Sequence, residues 1–451
     1  MKKYTDIYFI GIGGIGMSAI ARFCKFKGYK VSGYDRTESE LTRALVAEGI
    51  DVHYQDDCSF VPESVEDTLV IYTPAIPADM GELVYVREKG YRVIKRSQML
   101  GELTRGETCL AVAGTHGKTT TSTMVAHILT EGSNGCSAFL GGISKNYDTN
   151  MLVSETPTVV VEADEFDRSF LQLHPAIAAI TSIDADHLDI YGTYENVVLA
   201  FKEFASQVSE AVIMKYGLPI RKDEIDAKVF TYHFNDERAD FRCSNLRLDE
   251  SGHYIYDLLY PGGTLSDIRV GALGWINVEN SIAAAAICLC YGMDGQKVRK
   301  AISSFEGAKR RLDLQLSKDG MTYIDDYAHH PAELAGAISS VRQIFPGRKI
   351  TGIFQPHLYS RTRDFAPEFA EALSGLDKLI LLNIYPAREL PIEGVSSEII
   401  FKDVTCPQKV LIDRNELMDY LEKEEVDVLL TLGAGDIDRF IDSIAEMLAK
   451  R

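Results

Sequence analysis

Seven consecutive residues, Gly114-Thr115-His116-Gly117-Lys118-Thr119-Thr120, carry the most specific chemistry in this chain. A glycine-bearing loop ending in Lys-Thr supplies backbone N–H groups, an ammonium and a hydroxyl in the order that a triphosphate and its Mg²⁺ require. Val112 stands where such loops usually have their first glycine. A Mg²⁺ bound through Thr119 needs a carboxylate from a neighbouring strand end, because it takes oxygen ligands in an octahedron and keeps several waters. Glu162, at the end of TVVVE, meets that need, and Asp164, Glu165 and Asp167 follow it. His187, in DADHLD, is either a ligand of a second Mg²⁺ or a hydrogen-bonded structural residue.

Two further groups of residues are chemically equipped. Near the start, Gly11-x-Gly13-Gly14-x-Gly16 forms a turn that lets backbone approach a phosphate, and Asp35 follows at about the distance expected of a ribose-binding carboxylate. A nicotinamide or flavin dinucleotide would use such a turn, and so would the diphosphate of a nucleotide sugar. Near the other end, Asp325-Asp326-Tyr327-Ala328-His329-His330-Pro331 and Gln355-Pro356-His357-Leu358-Tyr359-Ser360-Arg361-Thr362-Arg363 each follow an apolar strand. Carboxylates, imidazoles and guanidinium groups at two strand ends point to a small charged substrate, with Arg361 or Arg363 forking onto its carboxylate.

These residues need rigid elements to hold them. Residues 6–35 read as strand, glycine turn, helix, strand, and short strands continue to about residue 106. A second start at TCLAVAGTHGKTTT runs from an apolar strand into a helix, and TVVVEADE and AIAAITSID alternate with helical segments, as in a mostly parallel sheet covered by helices. The segment from about 215 to 270 is read as holding antiparallel strands. A third α/β region begins near residue 309 and repeats strands at MTYIDD, KITGIFQ, KLILLN, KVLID and VDVLLTLG.

Length and composition bound the rest. At 451 residues the chain exceeds the ~250–300 that a single core usually supports, so several domains are expected. A formal charge of −19 argues against nonspecific binding to nucleic acid, which needs clustered Lys and Arg. The eight cysteines form no C-x-x-C pair and read as reduced core thiols, including Cys288 and Cys290. The N-terminal apolar run, broken by glycines, is not read as a signal peptide. No stretch reaches the ~20 apolar residues that span a bilayer, so a cytoplasmic protein without membrane partners is expected.

In this order, GIGGIGMSAIA, AGTHGKTTT, EADEFDRSF, DADHLD, GAKRRLD, DDYAHHPAE, FQPHLYSRTRDF and NIYPARELPIEGV resemble the Mur ligases over nearly the whole chain. DDYAHHP, QPHLYSRTRD and YPARE point to the alanine-adding branch. The resemblance implies an α/β protein of three domains. Residues 1–106 would be Rossmann-like and bind the UDP-sugar, 107–308 would hold ATP on a P-loop ATPase-like parallel or mixed sheet, and 309–451 would be Rossmann-like and bind the amino acid. It further implies a monomer or weak homodimer that uses ATP and Mg²⁺ to join L-alanine to UDP-N-acetylmuramate for peptidoglycan.

By residue, the resemblance implies that Gly11, Gly13, Gly14, Gly16 and Asp35 face the UDP-sugar, with Thr115 and His116 beside the acceptor. Lys118 would meet the β- and γ-phosphates within the 114–120 loop. Thr119 and Glu162 would hold one Mg²⁺ and His187 a second, Asn280 would lie near adenine, and Arg311 near the ATP phosphates or ribose. Tyr327, His329 and Arg361 would bind alanine, with His329 orienting or deprotonating its amine. The chain departs from the family where Ile276 replaces a histidine before Asn277 and where Leu358 replaces an arginine. Lys202 follows His187 by a helix length, and it is read as a helix-surface residue rather than the carbamylated lysine of other members. The rival readings are a ligase that attaches a preformed peptide, a dinucleotide-dependent oxidoreductase, and a noncatalytic UDP-sugar sensor.

Overall fold

The computed structural model describes residues 3–133, 135–387 and 389–451, and only the backbone of Asp189. Lys2 of the N-terminal lysine pair and Arg388 of the YPARE segment therefore lie outside the described residues. Parallel strands covered on both faces need continuous apolar runs, and the chain has them in DIYFI, TLVIY, TCLAVA, IAAI, KLILL and VLLTL.

Among the described residues the strands form three sheets. The first contains β1 (Asp6–Ile10), β2 (Lys30–Tyr34), β3 (Asp51–His53), β4 (Thr68–Tyr72) and β5 (Arg92–Lys95), all parallel, in the order β3-β2-β1-β4-β5. The order reverses between β1 and β4, and a crevice at the strand ends is expected there. Gly11 occupies that point, where a Cβ would sit 2.9 Å from Thr73 Cγ2.

The second sheet has ten strands. They are β6 (Thr108–Ala113), β7 (Ser137–Ser144), β8 (Thr149–Leu152), β9 (Thr158–Ala163), β10 (Ile177–Ile180), β11 (Ala211–Lys215), β12 (Lys228–His233), β13 (Phe241–Leu248), β14 (Tyr254–Tyr260) and β15 (Gly263–Arg269). Their order is β15-β14-β13-β12-β11-β10-β6-β9-β7-β8. β6 lies between β10 and β9, parallel to both, with Ala113 level with Ile180 and Ala163. In the segment expected to be antiparallel, β14 and β15 form a hairpin turning at Pro261-Gly262, whereas β12 pairs with β13 in parallel.

The third sheet holds β16 (Asp313–Lys318), β17 (Met321–Asp326), β18 (Ile350–Phe354), β19 (Lys378–Leu382), β20 (Gln408–Ile412) and β21 (Val428–Leu432), in the order β16-β17-β21-β18-β19-β20. Only its edge strand β16 runs antiparallel to its neighbour. Asp326 and Phe354 both pair with Leu432, so the ends of β17, β21 and β18 are level.

The chain divides into two compact units, one of residues 1–245, 256–268 and 280–306, the other of residues 246–255, 269–279 and 307–451. Inside the first unit, one apolar core runs from Ile7, Phe9 and Ile20 to Phe139, Phe170 and Phe201, so the first and second sheets share an interior. Inside the second, Leu334, Phe354 and Phe369 pack on one face of the sheet and Tyr323, Leu417 and Ile444 on the other. All eight cysteines are free thiols, with Cys288 buried. Among the described residues no helix is long and apolar enough to cross a membrane.

Asn150, fully buried on β8, ties the first two sheets together. Its amide donates to Ile15 O at 2.5 Å and to Ser18 Oγ at 2.9 Å, and its oxygen accepts from Arg22. Truncation would remove all three bonds, two of them to the start of the helix Ile15–Phe26, and a hydrogen bond contributes ~0.5–1.5 kcal/mol, more where one partner is charged. Asn150→Ala should therefore lower unfolding free energy in urea by about 2–3 kcal/mol, summing these losses.

Candidate active site

The loop after β6 folds as its glycines dictate. Gly114 (φ 138°) and Gly117 (φ 80°) adopt conformations that L side chains rarely reach, and the helix Lys118–Gly132 starts immediately afterwards. A Cβ on Gly114 would collide with Thr181 Oγ1, and one on Gly117 would lie 2.8 Å from Asn280 Oδ1. The loop is pinned to the segment after β10: His116 N–H donates to Ser182 Oγ (2.8 Å), and Thr115 Oγ1 donates to Asp184 Oδ2 (3.0 Å). His116 Nε2 lies 3.3 Å from Asp184 Oδ2. Thr121 Oγ1 donates to Asn280 Oδ1 (3.3 Å) beneath the loop.

Lys118 is almost enclosed. Its ammonium donates to Gly114 O (2.5 Å) and sits 2.9 and 2.8 Å from the two carboxylate oxygens of Glu165, whose side chain is 2% exposed. Burial works against the lysine charge, but Glu165, Glu162 and Asp164 outweigh it and raise its pKa. Burial also pushes Glu165 upward against the pull of Lys118. His187 Nε2 is 3.9 Å from Glu165 Oε1 and 3.7 Å from Asp186 Oδ2, with its ring edge-on to Phe166.

The oxygen donors suit Mg²⁺. The Thr119 carbonyl accepts from the Ser122 and Thr123 hydroxyls, which leaves the Thr119 hydroxyl out of these bonds. Glu162 accepts from Gly141 N–H at 3.1 Å, and a Cβ on Gly141 would collide with that carboxylate, so the glycine is a cradle shaped for it. Among the described residues no three His, Cys, Asp or Glu side chains form a metal cluster by themselves. A Mg²⁺ that draws its remaining ligands from phosphates and water does not require one.

The first glycine turn belongs to the same unit. Asp35, read as a ribose carboxylate, accepts from Gly13 N–H (2.7 Å) and Thr37 N–H (3.2 Å), so it also braces the turn. Two cations absent from the sequence reading reach from the end of β5 to the acidic run: Lys95 Nζ donates to Asp167 (2.6 Å) and Arg96 Nη2 to Asp164 (2.9 Å). Arg96 also lies against Gly16, 2.9 Å from where a Cβ would be. Their position directly after a strand was the signal available. Lys202 Nζ donates to Glu224 at 2.9 Å.

In the second unit, the segments after β17, β18 and β19 assemble a separate cluster. Tyr327 and His329 rings are 5.2 Å apart, and the guanidinium groups of Arg310 and Arg311 each lie 5.2 Å from the Tyr327 ring. Arg311 is thus packed on the expected alanine site, 3.8 Å from Glu333. Asp325 is buried and accepts from Arg310 (3.0 Å) and Thr431 (2.6 Å). Asp326 accepts from the N–H groups of Leu312 and Ala328, while burial pushes it up to about 6. The loops after β18 and β19 are laced by Tyr385 N–H to Pro356 O (2.8 Å), Leu358 N–H to Tyr385 O (3.0 Å) and Ser360 N–H to Glu389 (2.9 Å). Leu358 replaces the expected cation with a buried apolar side chain at φ 71°. Ile276 packs on Gly336, whose added Cβ would meet it at 2.5 Å.

Backbone strain gathers in the motifs. Outside them, Asp148, Asn245, Asp267 and Asp319 have positive φ, and these residue types bear it cheaply. Inside them the same is true of Asp167, Arg168, His187, Arg310, Leu312, Leu358 and Ala387, mostly residues for which such a conformation costs ~1–3 kcal/mol each.

Comparison with known proteins agrees across the chain. Residues 6–108 match the Mur ligase family catalytic domain, 112–288 the Mur ligase middle domain, and 310–435 the Mur ligase glutamate ligase domain. A UDP-N-acetylmuramate--L-alanine ligase of Porphyromonas gingivalis W83 is 51% identical, with 98% of each chain covered. One of Parabacteroides distasonis is 48% identical, over 100% of this chain and 99% of that protein. The crystal structure of UDP-N-acetylmuramate-alanine ligase MurC from Thermotoga maritima superposes with a TM-score of 0.84 at 25% identity, covering 99% of each chain.

Burial, with the nearby charge of Arg361 adding to it, depresses His329 to about 4 despite the opposing pull of Glu333. The sign is that of a histidine kept neutral by folding. Its contribution to stability is fully present above the unfolded pKa of ~6.5 and is lost as pH falls from there through about 4. NMR titration of the His329 ring should show no protonation between pH 5.5 and 7.5, whereas a midpoint near ~6.5 would contradict this environment.

Proposed function

The chain belongs to the Mur ligase family, and from that membership we propose that it joins L-alanine to UDP-N-acetylmuramate at the expense of ATP. The observation that supports the reading is that Lys118, Glu162 and His187 all leave from the level edge of β10, β6 and β9 and gather around Glu165 and its acidic neighbours. The names carried by close relatives support alanine as the amino acid. In the division of labour we propose, residues 1–106 take the UDP-sugar, 107–308 the ATP and 309–451 the amino acid. The enzyme works in the cytoplasm, where ATP is available.

The chemical obstacle is that a carboxylate resists attack by an amine. A lactyl carboxylate oxygen of the muramic acid attacks the γ-phosphorus, ADP leaves, and an acyl phosphate forms. The alanine amine adds to its carbonyl, loses a proton, and the tetrahedral intermediate expels phosphate to leave the amide. Both steps concentrate negative charge, so fixed cations and positioning carry most of the rate. Lys118 serves the β- and γ-phosphates, and the Gly114–Thr120 loop lends its N–H groups. Mg²⁺ held through Thr119 and Glu162, with His187 as ligand for a second ion, would neutralise phosphate charge. Thr115 and His116 are braced on Ser182 and Asp184 and would flank the acceptor.

Arg361 holds the alanine carboxylate, and Tyr327 and His329 frame the amine. With its pKa at about 4, His329 is a weak base for an ammonium group, so its part is to accept a hydrogen bond and orient the amine. Arg361→Ala should raise KM for alanine by at least about tenfold, the value of a lost charged hydrogen bond, with KM for ATP little changed. Phosphate release from ATP, Mg²⁺ and UDP-N-acetylmuramate should depend on L-alanine and yield UDP-muramoyl-alanine by mass. Lys118→Met should abolish it. Release that depends instead on L-alanyl-tripeptide would assign the chain to peptide recycling.

A further inference from the structure

Glu165 is not needed to explain phosphate binding, yet it is the most deeply buried carboxylate around Lys118 and its immediate ion partner. Its position is firmly set. The Glu165 carbonyl accepts from Tyr191 OH at 2.6 Å and from Arg168 N–H at 3.0 Å. The next turn is locked by the left-handed residues Asp167 and Arg168, which Lys95 also holds through Asp167. A carboxylate so enclosed cannot turn into water when a triphosphate arrives, and the arriving phosphates must compete with it for the same ammonium.

We propose that Glu165 is a positioning residue that makes nucleotide binding conditional on the divalent cation. Without a cation, the phosphates meet a buried negative charge and a lysine already committed to it. With Mg²⁺ on the phosphates, the repulsion is offset and Lys118 can be shared between Glu165 and the nucleotide. The site thereby rejects free ATP, which lacks the ion that the chemistry needs. His187 Nε2 lies 3.9 Å from the same carboxylate. This inference rests on the nucleotide-binding reading of the Gly114–Thr120 loop.

The test is calorimetric titration of the full-length protein with ATP, in excess EDTA and in excess Mg²⁺. Removing one charge at this range should tighten metal-free binding in Glu165→Gln by roughly tenfold, while Mg·ATP binding changes by less than about threefold. Glu165→Asp keeps the charge and should retain the wild-type preference for Mg·ATP, which a purely packing role would not preserve. If Glu165→Gln melts too low to study, Glu165→Met supplies the same neutral replacement. Unchanged or weaker metal-free binding in the neutral variants overturns the proposal. Failure of the wild-type chain to bind Mg·ATP overturns both it and the reading of the loop.

Discussion

The burial of one ammonium organises the catalytic unit. Lys118 is stable in its place only because a glycine turn hands it a carbonyl and Glu165 gives it a counter-charge. Each condition has structural consequences. The turn needs positive φ at Gly114 and Gly117, which the contacts with Thr181 and Asn280 would deny to any side chain. The counter-charge needs a buried carboxylate, so Tyr191 and the strained Asp167-Arg168 pair exist around Glu165 to hold it. Burying two charges this way contributes little to stability; under the proposed function it serves as preorganisation for phosphate.

The same economy governs the strand ends. Parallel strands deliver their carboxyl ends to one edge, and here each functional segment leaves from such an edge: Gly11 after β1, the Lys118 loop after β6, Glu162 at β9, His187 after β10, and the clusters after β17, β18 and β19. The apolar interior common to the first two sheets gives the glycine turn and the Lys118 loop one framework, and Asn150, Lys95 and Arg96 reinforce it with polar ties. Strain at His187, Leu358 and Arg310 is tolerable because these frameworks are already rigid.

Much of this was legible in the chain because its signals are local. A strand, a glycine turn and a helix follow each other within a few residues around both Gly11 and Lys118, and apolar runs announce the parallel strands. Partnerships across distance were not legible: Glu165 could be seen in an acidic run, but its pairing with Lys118 spans 47 positions. Arg96 and Glu389 acquire meaning only through Asp164 and Ser360. Leu358 was visible as a departure, yet its left-handed backbone and burial were not. The depressed His329 likewise depends on how deeply tertiary packing encloses it.

The proposed function requires an acyl phosphate, an intermediate that would use both the Lys118 loop and the cluster after β17, β18 and β19. UDP-N-acetylmuramate labelled with ¹⁸O in its lactyl carboxylate tests it directly in a turnover with ATP, Mg²⁺ and L-alanine. Activation through the carboxylate predicts one ¹⁸O in each phosphate released, with the other retained in the amide. Alanine-dependent turnover that releases only unlabelled phosphate would contradict it.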